Sequence, residues 1–290
     1  MPVRNISDGS AAPPRLRLDL NAGTLLGLPP DSAGPTGDIA AQMTAVKNAG
    51  YEGLQSFDAS GALKAGLRAT GIGRVLEPSQ AAPLASAHKA AGFDATTLHV
   101  GTGLDTDDES DVLVRAILDA SAKYDYPLYV ETHRATVTQD MRRTLDLVER
   151  HPGLRFNADL SHWYTGLEMP YGDIEKKFDA LAPVFERVRF LHGRIGDSGS
   201  MQVALGGRED EPFVAHFREM WTRCFRGFLA SAAPGDAIVF APELLPARLG
   251  YARRLRDAGG NWREESDRWT DALRLCEIAR DAFGRAASLR

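Results

Sequence analysis

Cysteine is scarce in this chain: Cys224 and Cys276 are the only two in 290 residues, and they lack the close spacing of a zinc or redox motif. Both are expected to be free, buried thiols. No apolar run approaches the length needed to cross a bilayer, and residues 1–15 lack the hydrophobic centre of a signal peptide. A cytoplasmic protein without a membrane partner is therefore expected. An excess of positive charge is also missing. With 34 Lys and Arg against 39 Asp and Glu the formal charge is -5, which argues against a nucleic-acid partner, since such proteins usually carry a basic stripe or patch. No tandem repeat of short period is evident.

What the chain does contain is enough apolar residue for a large core, 43% of the sequence, with 25% charged, the balance of a soluble globular enzyme. Residues 1–15, with Asp8-Gly9-Ser10 and Ala12-Pro13-Pro14, read as a flexible tail. After them, short runs of β-branched and large apolar residues recur at Leu16–Leu20, Tyr51–Ser56, Ile72–Leu76, Thr96–Val100, Leu128–Val130, Leu154–Asn157, Val188–Leu191 and Ile238–Ala241. These are predicted strands. Helical spacing separates them at Asp38–Ala49, Asp111–Tyr124, Asp140–Arg150 and Asp173–Arg187, and a long amphipathic stretch, Arg263–Ala286, ends the series.

Alternation of this kind fits a closed parallel barrel better than an open sheet, because closure leaves no edge strand. The predicted fold is a single-domain (β/α)8 TIM barrel over residues 16–290. One connection is out of proportion. It runs from about 193 to 236, holds Gly193, Gly196, Gly199, Gly206 and Gly207, and leads into a predicted helix at Phe213–Leu229. A glycine-rich excursion after a barrel strand is expected to serve as a lid.

The chemistry is carried by polar residues placed where apolar runs stop. Glu131 follows Leu128–Val130, Asp159 follows Asn157 and Ala158, His192 follows Val188–Leu191, and Glu243 follows Ile238–Ala241 and Pro242. Side chains so placed stand at the mouth of a barrel. A carboxylate after a strand is often only a helix cap, but neither Glu131 nor Glu243 opens a capping box. Three carboxylates and one imidazole suit a hard divalent cation. Manganese is the expected ion, with Mg2+, Co2+, Fe2+ or Zn2+ as alternatives. The net negative first shell points to a neutral polyol or hydroxycarbonyl compound as ligand.

Around this centre, His99, His133, Arg134, His162, Trp163, Tyr164 and Gln202 are expected to touch substrate, with Trp163 read either as a packing residue or as a ring stacked on a sugar face. Glu77 reads equally as a substrate contact or a solvated carboxylate. His88, His151 and His216 are read as packing or surface residues, and the charged run Asp105–Asp111 as a solvated face.

The ordered set Glu131, Asp159, His192 and Glu243, together with Asp159-Leu-Ser-His162, resembles the xylose isomerase-like superfamily of TIM barrels. Its members include ketose 3-epimerases, hydroxypyruvate isomerase, inosose dehydratases and endonuclease IV. The resemblance implies that Glu131 and Glu243 act as the acid/base pair, that His162 contacts substrate, and that Arg194 binds a substrate oxygen. It implies a small-molecule carbohydrate substrate and proton abstraction next to a carbonyl through an enediolate, as in a sugar isomerase or epimerase. A lyase or dehydratase acting on a keto-sugar or keto-glycoside would use the same enolate chemistry. An endonuclease IV-like phosphodiesterase fits less well: Leu76-Glu77 supplies no histidine after the third strand, and 194–199 lacks the expected Asp-x-His. A non-catalytic sugar-binding barrel would keep the same ligands. No sugar phosphate is assigned, and pairing into a homo-oligomer is left open.

Overall fold

In the computed structural model, which describes residues 2–289, every predicted strand forms and the set closes on itself. The strands are β1 (Ile6–Ser7), β2 (Arg15–Asn21), β3 (Gly53–Ser56), β4 (Arg68–Val75), β5 (Thr96–Val100), β6 (Leu128–Glu131), β7 (Phe156–Ala158), β8 (Val188–Gly193), β9 (Asp236–Pro242), β10 (Arg254–Arg256) and β11 (Trp262–Glu264). Strands β2 to β9 pair in parallel with their sequence neighbours, and β9 pairs with both β8 and β2. This is the (β/α)8 barrel expected from the alternation.

The helices are α1 (Ile39–Asn48), α2 (Ser60–Lys64), α3 (Ala81–Ala90), α4 (Asp107–Tyr124), α5 (Met141–Arg150), α6 (Ser161–Gly166), α7 (Ile174–Ala180), α8 (Ala182–Phe185), α9 (Pro212–Ser231) and α10 (Arg268–Ser288). Their starts follow local chemistry. Asp38, Asp140 and Asp173 each accept a hydrogen bond from a first-turn N–H of α1, α5 and α7, so each is the cap rather than the first helical residue. Helix α4 begins earlier than its apolar spacing implies. Thr106 and Glu109 form a capping box, and Asp107, Asp108 and Glu109 sit at the positive end of the helix dipole. The charged run read as a solvated face is thus largely a helix start.

Two further boundaries differ from the sequence reading. The stretch 173–187 breaks at Leu181, and Pro183 occupies the first turn of the short helix α8. The last helix starts at Arg268, because residues 254–264 form the β10–β11 hairpin around Gly259 and Gly260. Both cysteines are free and buried.

Period-two alternation divides the apolar side chains into two groups. Outward residues such as Val75, Leu98, Val130 and Leu191 pack against the helices in the main core. Inward residues Ala95, Tyr129, Phe190, Val239 and Ala241 form a separate cluster inside the barrel. Val3 and Ile6 belong to that inner cluster, so part of the stretch read as a flexible tail packs against the barrel. Strand β1 pairs antiparallel with β9, Asn5 bonds to Asp236 and Arg189, and the two apolar side chains are buried. A polar layer lies beside them: buried Arg17 bridges Asp19 and Asp94. Gly53 permits it, since a Cβ there would stand 2.4 Å from Asp19 Oδ1.

The excursion after β8 resolves into a loop over 194–211 followed by α9. The loop is fastened down by buried Ile195, Met201, Val203 and Leu205. Among the described residues no helix is long and apolar enough to cross a membrane.

Candidate metal centre

The inward alternation that fills the barrel with apolar groups lower down ends, at the C-terminal rim, in polar ones. Asn21, Gln55, Arg74, His99, Glu131, Asn157, Asp159, His192 and Glu243 occupy these positions. Four of them converge: Glu131, Asp159, His192 and Glu243 each offer one donor atom, and the four donors lie within 4.8 Å of one another. His192 Nδ1 is 3.5 Å from Glu131 Oε1, 3.5 Å from Glu243 Oε2 and 3.9 Å from Asp159 Oδ2.

Each ligand candidate is aimed by a neighbour that takes its other polar atom. Asn157 Nδ2 donates to Glu131 Oε2 at 3.1 Å, leaving Oε1 toward the centre. Ser161 donates from N and Oγ to Asp159 Oδ1, leaving Oδ2. Asn21 Nδ2 donates to Glu243 Oε1 at 3.0 Å, leaving Oε2. His192 Nε2 donates to Gln55 Oε1 at 2.8 Å, so Nδ1 is the nitrogen turned toward the three carboxylate oxygens. An outer shell that orients ligands in this way is characteristic of metal sites. The residues present therefore fit a divalent cation held by three carboxylate oxygens and one imidazole nitrogen.

Electrostatics agree. Burial works against the His192 imidazolium, but Glu243, Glu131 and Asp159 outweigh it and raise its pKa to about 9. Burial likewise opposes ionisation of Glu131 and Asp159. His192 and His99 overcome this at Glu131, and Arg194 and His162 at Asp159, so both carboxyls are held well below the usual carboxylate range. Carboxylates crowded this closely require cations. Arg194, fully buried on the extension of β8, supplies one: its Nη2 donates to Asp159 Oδ2 at 2.6 Å and also to Glu243 Oε2. The first shell is thus less negative than the four residues alone imply.

Several buried polar atoms at the rim have no hydrogen-bond partner: Arg194 Nη1, Asn157 Oδ1 and both ring nitrogens of His162. Such atoms are normally satisfied, so they mark where a ligand would bond. His162 Nε2 lies 3.4 Å from Asp159 Oδ2. His133 sits between His99 and His162, at ring-centroid distances of 4.2 and 3.9 Å. Burial and the neighbouring His162 push its pKa down to about 3. His99, Glu131 and His133 form a second group of close donors. There Arg74 Nη2 donates to His99 Nδ1 at 3.2 Å, which puts the ring proton on the Nε2 that faces Glu131 Oε1 at 3.3 Å. That tautomer offers no lone pair to a cation.

Three residues expected at the substrate do other work, among them buried Tyr164, whose hydroxyl bonds to His216 Nδ1 at 2.8 Å. Trp163 is completely buried, and its indole Nε1 donates to Thr138 O at 2.8 Å, so it packs beneath the rim instead of stacking on a sugar. Gln202 spends its amide on Leu245, donating to the carbonyl at 3.0 Å and accepting from the N–H at 2.8 Å. It clamps the loop after β8 to the segment after β9. Glu77 remains at the exposed rim, joined with Gln80 in capping a short helical turn. His88, His151 and His216 bond to Thr96, Asp111 and Tyr164 respectively, away from the centre.

No family model matches this chain, and no curated protein does either. Solved structures do. A xylose isomerase-like TIM barrel protein from Mycobacterium smegmatis, described in complex with magnesium, is similar at a TM-score of 0.57 with 12% identity, covering 94% of this chain and 97% of the other. A probable 3-DHS dehydratase, AsbF, from Bacillus anthracis is similar at 0.51 with 14% identity, covering 78% and 92%. At such identities the likeness establishes the shared barrel fold.

Proposed function

We propose that this chain is a divalent-metal-dependent isomerase or epimerase of a keto-sugar, working by proton abstraction next to a carbonyl. The observation that carries the reading is the aiming of Glu131, Asp159, His192 and Glu243: each has one polar atom held by a neighbour and the other presented to a common point. A divalent ion bound there, manganese in this reading, would act as a Lewis acid toward the substrate's carbonyl and adjacent hydroxyl oxygens.

The protein's own groups supply the proton traffic. Glu131, held ionised at neutral pH by His192 and His99, is the base that takes the proton from the carbon beside the carbonyl, leaving an enediolate. Glu243 stands on the far side of β7 and β8, the other carboxylate able to return a proton. Arg194 Nη1 and His162 have unspent donors for substrate oxygens. Return of the proton to the same carbon from the opposite face gives an epimer, and delivery to the neighbouring carbon gives an isomer.

The unpartnered His162 also supports a second reading. An imidazole N–H at the rim could protonate a departing β-hydroxyl, which would make the reaction a dehydration, the activity named for the Bacillus anthracis protein. A product lighter than its substrate by one water would select that reading.

Elemental analysis of purified protein and turnover of keto-sugars in D2O test the proposal together. Bound divalent metal and deuterium at the carbon next to the carbonyl are expected. Glu131→Gln and Glu243→Gln should each reduce turnover by about 10^2 to 10^4-fold, the usual contribution of a general acid or base. Full conversion without deuterium uptake, or full activity after exhaustive chelation, would overturn it.

A further inference from the structure

Two arginines at the barrel mouth are not used by the proposed reaction. Arg74 is the last inward-facing residue of β4. It is exposed, and its guanidinium reaches over to His99. Arg134 follows His133 and is also exposed. Its turn is built with some strain: Ala135 takes a φ of 60°, which side chains with a Cβ rarely adopt. Thr136 Oγ1 holds the turn by donating to His133 O at 2.7 Å, and Thr138 Oγ1 by donating to Glu131 O at 2.6 Å. The result sets the Arg134 guanidinium 5.4 Å from the centre of the Tyr251 ring. Arg194 lies 4.6 Å from the same ring. Tyr251 therefore joins the deep arginine to the rim one, while His99 and His133 join Arg74 to Arg134.

Among the charged groups named at the centre and along this arc, positive charge exceeds negative once a divalent ion is counted. Glu131, Asp159 and Glu243 contribute three negative charges, which a divalent ion and Arg194 together offset. Arg74 and Arg134 are then in excess, and among the described residues neither is ion-paired with a carboxylate. A neutral sugar would leave both guanidiniums unanswered beside the site. An anionic one would answer them, and a flat carboxylate matches the fork of a guanidinium.

We infer that Arg74 and Arg134 form a carboxylate subsite, so that the substrate is a keto-sugar acid whose carboxylate lies away from the reacting carbonyl. The inference rests on the metal and keto-sugar reading of the same centre and narrows it from sugars in general to uronate-type acids.

Calorimetric titration of the full-length, Mn2+-loaded protein tests it with matched pairs that differ only at the terminal carbon: D-fructuronate against D-fructose, and D-tagaturonate against D-tagatose. D-fructose 6-phosphate is a further arm. At least one keto-uronate should bind about tenfold or more tightly than its neutral partner, the effect of one charge-assisted contact. Arg74→Gln and Arg134→Gln should each shrink that gap to about threefold or less. Arg226→Gln, an exposed arginine on the outer helix α9, should leave it intact and so separate a local subsite from general charge. Absence of a gap in both pairs would overturn the inference, as would no binding of either keto-uronate, a gap unchanged in both rim variants, or tighter binding of the phosphate. The metal and deuterium measurements use no sugar acid, so failure here leaves the broader reading standing, and failure there is recognised separately.

Discussion

Gln55 and His192 meet through one hydrogen bond of 2.8 Å, from imidazole Nε2 to amide Oε1, and that bond decides which ring nitrogen is free. Gln55 is itself held, donating to Thr97 Oγ1 at 2.9 Å and accepting from Asn21 Nδ2 at 2.8 Å. Replacing it with Met keeps the volume but removes the acceptor, so the ring can turn or take the other tautomer. Gln55→Met should weaken Mn2+ binding about 10 to 100-fold, the usual cost of losing such a partner. Electron paramagnetic resonance titration of free Mn2+ measures this, and unchanged affinity would mean that Gln55 does not orient the ligand.

This residue also marks the limit of what the sequence makes legible. Strand ends can be read from where apolar runs stop, and that was sufficient to place the barrel and the four charged ligand candidates. Gln55, Asn21 and Asn157 stand at equivalent strand ends, but amides do not announce metal chemistry, so the same cue passed over them. Arg74 was hidden inside the apolar run Ile72–Leu76. Tyr251 lies in an irregular segment that no periodicity reaches. For Trp163, read as either packing or stacking, and for Gln202 the limit is another: which way a loop or short-helix side chain points is settled by packing partners at Thr138 and Leu245. Val3 and Ile6 are isolated apolar residues in a polar leader, and only the closed barrel bottom gives them a place to bury.

Arg194 meets two of the oxygens that the proposed cation would use, Asp159 Oδ2 and Glu243 Oε2. Removing its charge should therefore cost the metal-free form more than the metal-bound form. Without metal, Arg194→Gln leaves buried carboxylates unpaired and should cost about 3–5 kcal/mol of stability. With metal, part of that loss is recovered because the ion meets the same oxygens. The rise in melting temperature on adding Mn2+ should accordingly be larger in Arg194→Gln than in the parent protein. Scanning calorimetry with and without the ion checks this, and equal rises would show that arginine and ion do not share the site.

Trp163 offers a test of packing against substrate contact. Phe in its place keeps an aromatic body in the same buried space but cannot bond to Thr138 O, so Trp163→Phe should lower stability by about 1–3 kcal/mol, the cost of leaving a buried acceptor unsatisfied. Michaelis constants for sugar substrates should stay within about twofold. A large rise in KM with unchanged melting temperature would instead restore Trp163 to the substrate-binding surface.

Asp111 ties two outer helices together. It stands on α4, and its Oδ1 accepts from Arg150 Nε and from His151 Nε2, each at 2.9 Å, at the end of α5. Its partial burial favours the neutral acid, but the bonds from His151 and Arg150 outweigh this and lower its pKa from the ordinary 3.8. A carboxyl whose folded pKa is depressed stabilises the fold at pH values above its unfolded pKa, and this contribution fades as pH falls through the folded value. Asp111→Asn removes the charge at every pH. The variant should therefore be less stable than the parent by about 1 kcal/mol at pH 7, on the scale of a partly exposed ion-pair network. The difference should narrow steadily below pH 4 as the parent's own carboxylate is protonated. Urea denaturation of both proteins between pH 7 and pH 3 reads the gap directly. A gap that stays constant through the acid range would mean that the helices are joined there by the shape of the side chain and not by its charge.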